Sequence, residues 1–344
     1  MRRMTFNPKK GIRFAVGLLL ALLVVGAGAL LYFNSLLAPV AKEAQQAEMV
    51  EIPANSSGAA VAAMLEERGL IKSSLAFRVY CRYKGLDSEI KTGEYELGAH
   101  MSTPEIIESL IQGSQVYYSF TIPEGYTVEQ IADLLYEQGF VNKEKFLQLC
   151  KEGDFDFPFL PKKQEDIRYR LEGYLFPNTY SITRHDDEES IILMMLERFV
   201  YETNNINFEE RAKALGLTVH EAVTVAAMIE REAKVEKDRP LIAGVIYNRL
   251  KINMPLQIDA TVLYALGEHK ETVLYKDLEV KSPYNTYYIN TMPVGPIANP
   301  GLSSLEATVK PDKNDYLYYV AKPDGSHVFS KTLEEHELNK AKYL

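Results

Sequence analysis

Two carboxylates, Glu230 and Glu232, stand two residues apart in the stretch TVHEAVTVAAMIEREAKVEKD. A carboxyl group can protonate a leaving oxygen and take a proton back, the acid–base work that cleavage of a glycosidic bond demands. Upstream, Tyr169, Tyr174, Phe176 and Tyr180 crowd around Glu172, and aromatic and amide side chains suit the holding of sugar rings. Other chemistries lack their signatures. His220-Glu221 has no second His at the HExxH position, and no GxSxG, Walker A or GxGxxG string occurs. The six His are scattered, and Cys81 and Cys150 form no CxxC, so neither a metal nor a cofactor is expected. Two buried, reduced thiols are the plain reading of the cysteines, and one disulfide in an oxidising compartment is the alternative.

The two glutamates sit on a helix expected over about 218–235. Ala222, Val225, Ala226, Ile229 and Ala233 form its apolar face. Residues two apart on a helix point about 200° from one another, so Glu230 and Glu232 cannot share one cleft. Helical geometry does not choose between them, and a solvated flank is the plain reading of either. Further elements follow from local signals. A helix is expected over about 187–204. Asp238-Arg239-Pro240 opens another, with the stripe Leu241, Ile242, Val245, Ile246 and Leu250. Asp259 suits the cap of a short helix that Gly267 stops. The tail reads as a hairpin over 316–329, turning at Pro323-Asp324-Gly325.

The chain has 344 residues, 47% hydrophobic and 25% charged, an ordinary globular balance. Its net charge of −9 argues against nucleic acid as a partner. Residues 1–33 hold five basic residues and no acid, which leaves −14 on the rest. Phe14 to Phe33 carries no charge and is long enough for a hydrocarbon core of ~30 Å. With the basic residues before it, this run reads as an uncleaved anchor whose N-terminus stays in the cytoplasm. The expected organisation is a basic N-terminus (1–13), a transmembrane helix (14–33) and a tether (34–49), followed by the exported part. That part contains a repeat. Ile52-Pro53 recurs as Ile122-Pro123, 70 residues on, and Ala62, Leu65, Glu67 and Gly69 recur as Ala132, Leu135, Glu137 and Gly139. Each copy reads as a strand, a helix stopped by a left-handed Gly, and a second helix. Ser102-Thr103-Pro104-Glu105 starts a further helix, and residues 50–116 read as a small β/α module.

Three strings carry a resemblance: EGYLFPNTY at 172–180, AAMIEREAKVEKDRPLIAGVIYNRLKINMPLQIDATVLYALG, and SPYNTYYINTMPVGPIANPG at 282–301. In their order and spacing they resemble the MltG (YceG-like) family of endolytic murein transglycosylases, over about residues 50–340. The family pattern around its acid is similar to S-[IV]-[IV]-E-K-E; here Ala227 stands for the Ser and Arg231 for the Lys. The resemblance places the catalytic acid on Glu232. It also selects Asn248, Gln257, Asp259, Tyr284 and Asn285 as substrate-binding candidates, with amide or phenol chemistry suited to acetamido sugars. Asn248 and Arg249 locking loops is the structural alternative. Glu172 and Tyr180 rank below these. The implied fold is α+β: one transmembrane helix, a LysM-like module (50–116) and a mixed α+β catalytic domain (117–344).

The implied activity is lytic cleavage of the MurNAc–GlcNAc β-1,4 bond in nascent peptidoglycan, leaving 1,6-anhydroMurNAc ends and terminating elongation. Such an enzyme sits in the cell membrane with its catalytic domain outside and works beside peptidoglycan synthases. One carboxyl suffices, because the C6 hydroxyl of the sugar replaces water as nucleophile. That carboxyl must begin protonated, so an enclosed apolar site must raise its pKa, with Met228, Ile229 and Ala233 as walls and Glu236 as added negative charge. Two alternatives stand beside it: a glycosidase using water positioned by Asp259, and a non-catalytic, membrane-tethered peptidoglycan-binding protein.

Overall fold

The computed structural model describes residues 8–41, 47–53, 56–113, 117–183, 186–267 and 273–343. Arg2, Arg3 and residues 42–46 of the expected tether lie outside the described residues. The fold is mixed α+β and divides into two compact units, Met1–Tyr118 and Ser119–Leu344.

The first unit begins with α1 (Pro8–Leu37). Its window Leu18–Leu37 has a mean hydropathy of 2.0, and Leu18 to Tyr32 lie exposed. Among the described residues, α1 is the one unbroken helix long and apolar enough to cross a membrane. Then β1 (Glu48–Ile52) pairs antiparallel with β2 (Gly93–Leu97), placing Val50 opposite Tyr95. Between them run α2 (Gly58–Glu67) and α3 (Ser74–Lys84), and α4 (Thr103–Gln112) follows. Val50, Ile52, Leu65, Phe77, Tyr95 and Ile106 share one core. The expected start of α4 forms a reciprocal cap between Ser102 and Glu105, and Gly113 stops the helix at φ 77°.

The boundary falls within β3 (Tyr118–Thr121), which pairs with β4 (Thr179–Ile182) of the second unit. Between them lie α5 (Val128–Glu137) and α6 (Lys143–Glu152). The repeat is visible in the backbone. Gly69 and Gly139 follow α2 and α5 at φ 71° and 74°. Behind them Leu70 and Phe140 donate to the carbonyls of Leu65 and Leu135, the hydrogen bond of a Schellman motif. Cys81 and Cys150 are both free and buried.

The rest of this unit is built around α9 (Val219–Glu232), preceded by α7 (Glu188–Asn205) and α8 (Phe208–Ala214). Then come α10 (Arg239–Lys251), α11 (Asp259–Leu266), α12 (Leu302–Val309), the hairpin β5 (Tyr318–Ala321) and β6 (His327–Ser330), and α13 (Leu333–Tyr343). The expected single apolar face of α9 is too narrow. Every residue from Ala222 to Ile229 is buried, because α8, α10, α11 and α12 all pack against this helix. The hairpin turns where the sequence placed it, with Gly325 at φ 82°.

Candidate functional site

Burial on all sides forces the polar ends of α9 to carry its chemistry. Its last three residues, Glu230, Arg231 and Glu232, point in different directions. Glu230 turns inward to a fixed set of partners. One carboxylate oxygen accepts from Arg239 Nη2 at 3.2 Å, and the other from the backbone N–H of Gly301 at 3.0 Å, at the start of α12. Arg239 is itself held by Ser304 Oγ at 3.0 Å. Both side chains are under a tenth exposed. Glu230 thus binds α9 to α10 and α12.

Glu232, the final residue of α9, is half-buried. Its Oε2 accepts a hydrogen bond from Tyr319 Oη at 3.0 Å, and Oε1 has no hydrogen-bond partner among the described residues. Burial pushes its carboxyl up to about 7, and the negative charge of Asp259 adds to that rise. The Tyr319 hydrogen bond and the Arg231 charge oppose it. The walls are apolar: Met228, Ile229 and Ala233 share a core with Leu256, Ile258 and Tyr284, against which Tyr319 packs. Glu236 does not supply the expected pressure. It is exposed and pairs with Arg239 at 3.3 Å, and Asp259 takes that role instead.

Asp259 arrives beside Glu232 through the irregular run that follows α10. Leu256 and Ile258 bury their side chains while Gln257 and Asp259 remain exposed. Gln257 adopts φ 50°, uncommon for a side-chain-bearing residue, and its N–H donates to Thr286 O at 3.2 Å. Asp259 is the first residue of α11, not its cap; Ile258 occupies the cap position with no side-chain bond. The carboxylate of Asp259 instead accepts from Tyr287 Oη at 2.6 Å.

The remaining candidates face inward. Asn248 Nδ2 donates to the carbonyls of Asn314 and Tyr316 at 2.9 and 3.0 Å. Asn285 is fully buried; its Nδ2 donates to Leu278 O and Val280 O, and its Oδ1 accepts from Tyr287 N. Tyr284 is buried against Tyr264, and its hydroxyl accepts from Arg168 N at 3.1 Å. Tyr180 lies in the core, donating to Phe176 O. Glu172 is fully enclosed, accepting from Val128 N, Tyr264 Oη and Asn299 Nδ2, each at 3.0 Å. Burial pushes its carboxyl up to about 8.

Two contributors escaped the sequence reading, Tyr319 and Tyr287, which hold the two carboxylates. Arg249, for which locking of loops was the structural alternative, holds the segments that carry them. Arg249 Nε donates to Leu317 O at 2.6 Å, and Nη1 to Leu256 O at 2.8 Å and Pro255 O at 3.2 Å. One guanidinium therefore fixes both the approach to Asp259 and the approach to Tyr319. Nothing in local spacing marks Tyr319, which lies 87 residues from Glu232.

Glu232 thus forms a raised-pKa carboxyl with one oxygen unpaired among the described residues, an apolar wall, a phenol donor and a second carboxylate nearby. The sequence profile of the YceG-like family matches residues 50–342. The chain belongs to the YceG-like family. Relatives within it carry named activities. The chain is 41% identical over 334 residues to the endolytic murein transglycosylase of Bacillus subtilis (strain 168), covering 94% of this chain and 91% of that protein. It is 34% identical to the endolytic murein transglycosylase of Streptococcus pneumoniae serotype 2 (strain D39), covering 96% of this chain and 65% of that longer protein. The crystal structure of a yceG-like protein from Listeria monocytogenes matches with a TM-score of 0.60 at 40% identity, over 87% of this chain and 100% of that one.

Proposed function

We propose that this chain is an endolytic murein transglycosylase, cleaving the MurNAc–GlcNAc β-1,4 bond of peptidoglycan strands. The observation that carries the proposal is Glu232: a half-buried carboxyl raised to about 7, with Oε2 fixed by Tyr319. A group poised near neutrality can be protonated before the reaction and ionised within it. Glu232 gives its proton to the glycosidic oxygen as the bond from that oxygen to C1 breaks. The resulting carboxylate takes the proton of the C6 hydroxyl as O6 bonds to C1. The ring closes to a 1,6-anhydro end, the carboxyl is regenerated, and no water is consumed. Asp259 stabilises the positive charge that develops at C1. Gln257 and Asp259, the exposed pair, face the sugar. Asn248, Tyr284 and Asn285 hold the loops that shape the cleft.

The mass of the products tests this. Purified glycan strands treated with the protein should yield ends lighter by one water than hydrolytic ends. Reducing ends would assign the chemistry to a water-using glycosidase, a reading that the exposed carboxylate of Asp259 beside Glu232 also supports. Intact strands would leave only a binding protein.

The same proposal extends to place and partners. The length and exposure of α1 and its basic flank support an uncleaved anchor, with the cytoplasmic N-terminus and the catalytic unit outside. A reporter that needs export, fused after Leu344, should be active; activity of a cytoplasmic reporter there would reverse the topology. The antiparallel pair enclosing two helices in the first unit supports a LysM-like module over 50–116, ahead of a catalytic domain over 117–344. A membrane-held enzyme of this kind meets strands as synthases extrude them, so its cuts end elongation.

A further inference from the structure

The first unit carries a surface outside the candidate site. From Arg68 to Lys84 the chain has five basic residues, Arg68, Lys72, Arg78, Arg82 and Lys84, and no acid; Glu67 and Asp87 are the flanking carboxylates. The rest of the chain beyond residue 33 is strongly acidic, so this run stands against its background. Helix α3 also exposes large apolar side chains: Leu75 at 68%, Val79 at 46% and Tyr83 at 83%. At 100° per residue these three and Arg78 and Arg82 occupy one arc of about 140°. The opposite side, with Phe77 and Cys81, is buried in the core of the module.

Helix α3 lies close to the end of α1. Lys72 Nζ donates to the Ser35 carbonyl at 3.3 Å, Leu37 is buried, and α1 and α3 are in contact. Helix α3 has 11 residues and is about 17 Å long, so its far end cannot stray from the point where α1 leaves the apolar stretch.

We propose that α3 lies on the bilayer surface from which α1 emerges, with Leu75, Val79 and Tyr83 among the headgroups and Arg78 and Arg82 on anionic phospholipid. Amphipathic helices with basic flanks bind such interfaces by buried apolar area plus electrostatic attraction. The occupant is membrane lipid, because the surface adjoins the anchor and its charge complements phosphate. This rests on the reading of α1 as an anchor. Docking would fix the first unit against the membrane.

The chain contains no Trp, so one substituted indole reports without background. The full chain is reconstituted in vesicles of phosphatidylcholine, with or without phosphatidylglycerol, and brominated lipid serves as quencher. Tyr83→Trp reports on α3 and Tyr32→Trp on α1. The expected result is quenching of Tyr32→Trp in both vesicles, and quenching with a blue shift for Tyr83→Trp only with phosphatidylglycerol. Arg78→Ser with Arg82→Ser should weaken docking roughly thirtyfold, at about fivefold per basic residue. Quenching of Tyr32→Trp without that of Tyr83→Trp would overturn the docking and leave the anchor standing. Equal quenching of Tyr83→Trp in both vesicles would overturn recognition of anionic lipid. No quenching of Tyr32→Trp would remove the anchor and the docking together.

Discussion

Tyr319 donates its phenolic hydrogen to Glu232 across 3.0 Å, joining the end of α9 to a hairpin 87 residues further along the chain. The bond opposes the enclosure around it. Burial disfavours the carboxylate, while the phenol donor favours it. The outcome, about 7, is far enough above 4.5 to keep a proton available and low enough to release it. The hairpin is therefore part of the site, although it contributes no carboxyl.

The two glutamates of α9 should fail in different ways. Glu232→Gln keeps shape but cannot deliver a proton, so cleavage should fall by ~10²–10⁴. Its folded pKa is raised, so the stability contributed by the protonated form is complete below about 4.5 and lost as pH rises through about 7. Glu232→Gln escapes that loss. It should melt above the parent at pH 8, by an amount on the order of 1 kcal/mol, and match it near pH 5. Glu230→Gln should instead lower stability by roughly 1–3 kcal/mol, since Arg239 loses its buried counter-charge. Melting curves at both pH values and a cleavage assay separate the two. Equal losses of rate in well-folded variants would contradict this division.

Much of the scaffold was legible because its signals are local. The Ser102–Glu105 cap, the left-handed Gly69 and Gly139, and the turn at Gly325 each depend on a few neighbouring residues. Sequence periodicity could place Glu230 and Glu232 on opposite sides of α9, and that is where they stand. It could not say which of the two is tied into the core, because that depends on Arg239, Gly301 and Tyr319, brought in from other elements. Amide chemistry was equally silent about packing. Asn248 and Asn285 have the groups that bind acetamido sugars, yet backbone carbonyls take their donors. A side chain's type states what it can bond; only packing states what it does bond. The burial of all of 222–229 was hidden likewise, since small residues such as Ala227 carry no mark of the neighbour that covers them.

Arg249 is a demanding position. Its planar fork reaches three carbonyls from two segments, and its guanidinium carbon lies 5.2 Å from the Tyr318 ring centroid. Lysine presents a point charge and cannot reproduce that fork. Arg249→Lys should cost about 1–3 kcal/mol in stability, from carbonyls left without donors. It should also slow cleavage, as Asp259 and Tyr319 lose a common support. Chemical denaturation together with kcat measures both; a variant with lowered stability and unchanged kcat would limit Arg249 to the fold.

Glu172 should behave as a structural carboxyl. Glu172→Ala strands the Val128 N–H, the Tyr264 hydroxyl and the Asn299 amide inside the protein. Unpartnered buried donors cost about 1–3 kcal/mol each before relaxation, so a total loss of roughly 3 kcal/mol or more is expected. Denaturant titration gives the loss. Among molecules still folded, the pH dependence of cleavage should match the parent's; a displaced profile would assign Glu172 to the chemistry.

The sharpest test sets two substitutions against each other on one profile. Glu232 must be protonated to act as the acid, so kcat should be level at low pH and decline above about 7. Tyr319→Phe removes a hydrogen bond that favours the carboxylate, so the pKa of Glu232 should rise and the alkaline limb should move to higher pH. Asp259→Asn removes a negative charge that disfavours the carboxylate, so the pKa should fall and the same limb should move to lower pH. Both variants should also lose rate on the plateau, the first through a less well-held acid and the second through weaker support of positive charge at C1. Loss of plateau rate alone could reflect general disruption. Opposite displacements of one limb could not, because disruption has no reason to raise the pKa in one case and lower it in the other. Displacements in the same direction would separate the limb from Glu232 and remove the basis for its role.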